Sequence, residues 1–167
     1  MLYTLFVVLH ILSAGVVIGL ITVAVIGTAM RRKVQGTPGE IASIRSAAMM
    51  APIMGNIGSI GLLVSGVALT LLQYSFFPFT SLPWLALMQT DFVIIMAIVG
   101  AIIAPRGKKI LTMANAELSS SGAAQGASVE LRALANKQYA TIILIAVLVV
   151  IAVALGESKS LMWVGAN

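Results

Sequence analysis

Four stretches of the chain are apolar over lengths that match the width of a lipid bilayer. They cover about residues 2–30, 48–74, 84–104 and 138–156. A helix needs about 20 predominantly apolar residues to cross about 30 Å of hydrocarbon, and it satisfies all its backbone polar groups internally, as the bilayer demands. The sequence therefore predicts an all-α fold. We expect a four-helix transmembrane bundle of up-down topology, forming one integral membrane domain over residues 1–167.

The composition excludes several other classes of protein. Only 9% of the 167 residues are charged, against about 25% in soluble domains. There is no cysteine, so disulfides, thiolate metal sites and cysteine nucleophiles are ruled out. A net charge of +5 would suggest nucleic acid as the partner of a soluble protein. Here the basic residues flank apolar stretches, so we expect membrane lipids and no nucleic acid.

The basic residues also predict an orientation. Nine of the ten Lys and Arg lie between the first and second or between the third and fourth apolar stretches. By the positive-inside rule both connections face the cytoplasm, which places the N-terminus and the C-terminus outside. Residues 119–127 read as a flexible linker because Ser, Gly and Ala dominate them. We expect a location in a prokaryotic cytoplasmic (inner) membrane.

One histidine and one carboxylate lie inside the apolar stretches. His10 is the single histidine of the chain, and Asp91 is the single acidic residue within a predicted span. Each lies seven residues after an aromatic residue at the outer boundary, so both should lie about 10 Å deep. Because an unpaired charge at that depth is costly, we expect His10 and Asp91 to meet. Ser13 and Ser65 would complete a buried polar cluster.

Small residues line the opposite faces of the same helices. Gly15 and Gly19 form a GxxxG motif that points away from His10, a pattern typical of close helix packing in membranes. Such faces can serve packing within one protomer or contact with another subunit. The predicted helix-packing positions are Gly15, Gly19, Gly55, Ser59, Gly61, Ala97, Gly100 and Ala101.

Three roles for His10 stay open at this stage. It can be a neutral imidazole that fixes helix register through Asp91 or Ser65. It can be an axial ligand of haem b, as histidines on membrane helices often are. It can bind copper together with the thioether of Met88, since imidazole and thioether both suit Cu(I). The first role needs no cofactor, and it is the one that the sequence favours.

Three segments, "LHILSAGVVIG", "LLVSGVALTLL" and "PWLALMQTDFVIIMAIVGAIIAPRGKKI", resemble the DUF2269 family of small integral membrane proteins. More distantly they are similar to CopD-like copper-resistance proteins and to HemJ-like proteins of haem biosynthesis. The resemblance implies a four-helix membrane bundle, and from the two distant families it carries over only His10 as a metal or haem ligand. The further histidines that such relatives use are missing here.

No motif of a soluble enzyme occurs in the sequence, such as HExxH or a nucleophile elbow. With few chemical groups in the spans and small-residue faces to spare, the sequence predicts a non-catalytic protein. We expect an accessory or structural subunit of a larger membrane assembly, or of a homo-oligomer. The alternative is a haem- or copper-binding membrane protein that uses His10.

Overall fold

The computed structural model describes residues 1–53, 57–74, 83–119 and 126–163, with side chains for 1–50, 57–73, 84–119 and 126–155. Over this part of the chain the fold is all-helical and contains no strand. The helices, in order, are α1 (Leu2–Lys33), α2 (Pro38–Ile53), α3 (Ser59–Tyr74), α4 (Pro83–Ile98), a π-helical turn (Val99–Ile103), α5 (Ala104–Ser119) and α6 (Val129–Trp163).

In the described part of the chain, three helical stretches are long and apolar enough to cross a membrane. They are Leu2–Lys33, the continuous stretch Trp84–Ser119 and the described part of α6, Val129–Leu155. The apolar helix Ser59–Gln73 is shorter. Many of their large apolar side chains are exposed in the single chain, including Ile11 and Val150. That is the pattern of helices whose solvent is lipid rather than water.

Two clusters of buried side chains hold the helices together. In the first, α1 and α6 close around the stretch that runs from α4 into the π turn, with Val17, Ile21, Ile95, Val99, Ile103 and Ile145 at its centre. In the second, α2 and α5 pack against the start of α6, around Ile41, Ile44, Ala48, Ile110, Ala114 and Leu131. Besides these contacts, α1 packs along α3.

The predicted span over residues 48–74 includes the last part of α2, which is described to Ile53, and α3, which begins at Ser59. Residues 54–56 between them lie outside the described part of the chain. On α2, Ile41, Ile44 and Ala48 are spaced by three and four residues and are all buried in the second cluster. This apolar face packs α2 against α5 and α6.

The helix that contains the third predicted span, residues 84–104, continues beyond it through Pro105 to Ser119. Proline has no N–H to donate, and its ring crowds the carbonyl four residues earlier, that of Ala101. The π turn just before Pro105 widens the helix at this carbonyl, and the N–H of Ala104 bonds to the carbonyl of Val99, five residues back. A local widening therefore accommodates the proline within a continuous helix.

Two glycines bring the connections before α2 and α6 into contact. Gly36 and Gly126 both have positive φ, 78° and 80°, a conformation that glycine adopts without a steric penalty. A Cβ added to Gly126 would lie 2.6 Å from the carbonyl carbon of Gly36. This close approach holds the first turns of α2 and α6 side by side, which matters for the polar contacts at that end.

Candidate functional site

The interface between α1 and α3 is built from side chains of α1 that fit against small residues of α3. A Cβ added at Gly61 would collide with the side chain of Ser13. A Cβ added at Gly58, just before α3, would lie 2.6 Å from Val17 Cγ2. At Gly66 the imidazole of His10 lies 3.6 Å from the corresponding position. Glycine thus admits close backbone approach, as small residues do at membrane helix interfaces.

His10 is hydrogen-bonded to Ser65 across this interface. The Nδ1–Oγ distance is 3.0 Å, and Ser65 itself is fully buried. The Ser65 hydroxyl also donates to the carbonyl of Gly61 at 2.6 Å. A hydroxyl has one proton, so we assign the Nδ1–H of His10 as the donor to Ser65 Oγ. The other ring nitrogen, Nε2, then carries a lone pair, and within the described part of the chain it accepts no hydrogen bond.

Asp91 forms no hydrogen bond with this cluster among the described residues. It is buried on α4, at 8% exposure, and in the same part of the chain no hydrogen bond reaches its Oδ2. No ion pair connects Asp91 with His10 there either. The most extensive contacts of α1 are with α3, and those of α4 are with α6. The structure therefore realises the Ser65 alternative for His10, and Ser13 packs beside it against Gly61.

A second polar contact lies between α3 and α4. Gln89 Nε2 is 3.4 Å from Thr70 Oγ1, and the Thr70 hydroxyl donates to the carbonyl of Gly66. Sequence reasoning did not include Thr70. The spacing along α3 could have indicated Thr70, because it lies one helical turn after Gly66 and on the same face. Met88 lies half-buried on α4.

The remaining predicted packing residues divide into two groups. Ser59 is buried at 5% exposure, whereas Gly15 and Gly19 are exposed, with no atom within 4 Å of an added Cβ. Gly100 is equally open, and Ala97 and Ala101 beside it are exposed. Gly55 lies outside the described residues. The GxxxG face of α1 therefore contacts no other described part of the same chain.

At the basic end of the helices, sequence reasoning missed a buried ion pair. Glu40 on α2 is 1% exposed and accepts two hydrogen bonds from Arg132 on α6, at 2.8 Å from Nε and 2.9 Å from Nη2. Its Oε2 also accepts the N–H of Gly36 at 2.9 Å. The missed signal was a lone carboxylate between strongly basic segments.

This environment favours the charged form of Glu40. The hydrogen bonds from Arg132 lower the pKa of the Glu40 carboxyl from its ordinary value of 4.5, against the opposing effect of burial. The guanidinium group of an arginine stays protonated in proteins. The pair is therefore fully ionised at neutral pH, and it ties α2 to α6 by a two-point contact between a planar guanidinium group and a carboxylate.

Comparison with known protein families, curated proteins and solved structures gave no match. Among the described residues, no three His, Cys, Asp or Glu side chains converge in a group that could hold a metal ion. The DUF2269 resemblance stays a prediction.

Proposed function

We propose that this chain is a non-catalytic structural or accessory subunit of a membrane assembly, and that its first partner is a second copy of itself. The chain would lie in a prokaryotic cytoplasmic membrane as a four-helix bundle with both termini outside. The distribution of Lys and Arg supports that orientation. Three of the spans would be the long apolar helices, and α3 would be the fourth.

The observation that carries this proposal is the open glycine face of α1. Gly58, Gly61 and Gly66 each lie against an α1 side chain, so glycine in these apolar helices accompanies close packing. Gly15 and Gly19 share one face of α1, and no atom of the described residues lies within 4 Å of a Cβ added at either position. A GxxxG face can pair with its own copy across a two-fold axis, because the same surface then serves both subunits.

A cross-linking experiment tests the self-association. With no native cysteine, Ile11→Cys introduces a single thiol at an exposed position one turn before Gly15. In native membranes under mild oxidation we expect a disulfide-linked dimer. Adding Gly19→Leu should lower the cross-linked fraction about tenfold, because overpacking costs on the order of 1–3 kcal/mol.

The control is Val150→Leu, which adds the same residue at an exposed position of α6 and should leave cross-linking unchanged. Equal cross-linking with and without Gly19→Leu contradicts the proposal. The proposal of self-association is also contradicted if the protein is monomeric at every ratio of protein to lipid.

A haem- or copper-binding function is the second candidate, and the Nε2 lone pair of His10 favours it. A metal-bound histidine commonly donates its other ring N–H to a protein acceptor, as Nδ1 does to Ser65. Met88 would be the thioether ligand for copper.

Absorption spectra and metal analysis of the purified protein distinguish the two candidates. A Soret band, or copper at one equivalent, that disappears in His10→Ala and persists in the matched variant Thr70→Ala would establish the cofactor. We expect neither signal. His10→Ala should instead lower thermal stability through the lost contact with Ser65.

A further inference from the structure

A polar crevice opens at the basic end of the molecule, between the end of α1, the first turn of α2 and the start of α6. Its volume is about 250 Å³. Three guanidinium groups line it, those of Arg31, Arg32 and Arg132, together with the carboxylate of Glu40. Because Glu40 is paired with Arg132, the described lining of the crevice carries an excess of two positive charges.

Arg31 is the strongest indication of a ligand. Arg31 is only 9% exposed. Its Nη2 donates a hydrogen bond to the side-chain oxygen of Asn136, which is a neutral acceptor. Within the described part of the chain Arg31 forms no ion pair. The Glu40 carboxylate attracts Arg31, but it is hydrogen-bonded to Arg132. Among the described residues that line the crevice, one carboxylate therefore faces three guanidinium groups, and the burial of Arg31 lacks a full counter-charge. An anion in the crevice would supply that counter-charge.

The surroundings of the crevice indicate what kind of anion fits. Arg31 and Arg32 directly follow the apolar part of α1, and Tyr139 lies where the apolar part of α6 begins. A narrower cleft of about 40 Å³ shares Thr28, Arg31 and Tyr139 with the crevice. Its other walls are mainly apolar, among them Ala24, Gly27 and Ile142.

The crevice, which is lined by cationic side chains, therefore adjoins the apolar cleft at the boundary of the membrane-spanning segments. Planar guanidinium groups bind phosphate oxygens through paired hydrogen bonds. Basic pockets between transmembrane helices are typical of sites for anionic head groups. We propose that the crevice binds the phosphate group of an anionic phospholipid, with the glycerol and upper acyl chain directed along the apolar cleft.

Lipid binding can be measured on the full-length protein in a neutral detergent. The probes are dioctanoyl phosphatidylglycerol, dioctanoyl phosphatidylcholine and inorganic phosphate, each titrated while native mass spectrometry records bound adducts and a melting curve records stability. We expect a single phosphatidylglycerol adduct that raises the melting temperature. Both controls should bind at least about tenfold more weakly than phosphatidylglycerol. Phosphatidylcholine has no net negative charge, and inorganic phosphate has no apolar chains.

Matched charge variants separate a built site from general attraction. Arg31→Gln and Arg32→Gln should each weaken phosphatidylglycerol binding about tenfold, the loss of one charge-assisted contact. Lys33→Gln removes the same charge from the next residue, which does not line the crevice, and should change binding less than about twofold. Because Arg32 is exposed, its variant keeps the test valid if Arg31→Gln does not fold.

Three results would overturn the proposal. One is equal weakening by Lys33→Gln and Arg32→Gln, which indicates attraction to the basic end as a whole. Another is equal affinity for phosphatidylcholine and phosphatidylglycerol. The third is inorganic phosphate binding as tightly as the lipid and displacing it, which assigns the crevice to a soluble phosphate compound.

Discussion

Arg132→Leu is expected to lower the melting temperature of the protein by roughly 10 °C. The substitution leaves Glu40 1% exposed without its ion-pair partner, while the N–H of Gly36 remains its hydrogen-bond donor. An orphaned buried carboxylate costs about 3–5 kcal/mol when one member of a buried pair is removed. Thermal unfolding in detergent, followed by circular dichroism, measures the effect.

The control is an exposed ion pair at the same end of the molecule. Lys109 lies 3.5 Å from Glu130, and both side chains are more than half exposed, so Lys109→Leu should change the melting temperature little. The double variant Glu40→Leu with Arg132→Leu should recover most of the loss, because no charge is then left buried. If Arg132→Leu is as mild as Lys109→Leu, the ion pair does not hold α2 to α6.

The pH dependence of this effect has a definite sign. The native pKa of Glu40 is lowered below 4.5 by Arg132, so the pair contributes its full stability above about pH 4.5. That contribution is lost as the pH falls through the lowered native pKa. The difference between wild type and Arg132→Leu should therefore shrink on acidification.

Gly61→Leu should separate α1 from α3, with a loss of on the order of 3 kcal/mol in stability. Even a single added Cβ at this position collides with the side chain of Ser13, and a leucine has no space to turn into. The separation would also break the bond between His10 and Ser65. Thermal unfolding of detergent-solubilised monomers measures the loss.

Gly15→Leu is the matched control, because no atom lies within 4 Å of a Cβ added there. In a monomeric sample it should leave stability unchanged or raise it slightly, since leucine favours a helix more than glycine does. Equal destabilisation by the two substitutions would mean that Gly61 does not mark a tight interface.

Length and hydrophobicity predicted the all-helical class and the long apolar helices. They did not predict how α2 packs, because only the spacing of Ile41, Ile44 and Ala48 distinguishes the face that lies against α5. They did not predict the π turn either. Proline usually ends a helix, but Pro105 here follows a π turn and one further residue. Local composition does not reveal such a compensation.

The polar residues show a similar division. Depth along each helix predicts which side chains should lie at one level, but the choice of partner depends on which helices are neighbours. His10 bonds to Ser65 because α3 packs along α1, and no counting of residues from the membrane boundary establishes that. Glu40 and Arg132 are 92 positions apart, so only the folded chain brings them together.

The π turn determines how far α4 and α5, the two halves of one continuous helix, are rotated relative to each other around the helix axis. It accommodates one extra residue in a turn, and each residue rotates the remainder of the helix by about 100° around the axis. Before the turn, Ile95 on α4 packs against α1 and α6. After the turn, Ile110 on α5 packs against α2. Without that extra residue one of these faces would point about 100° away from its neighbours, so the π turn lets the two halves of the helix pack against different partners.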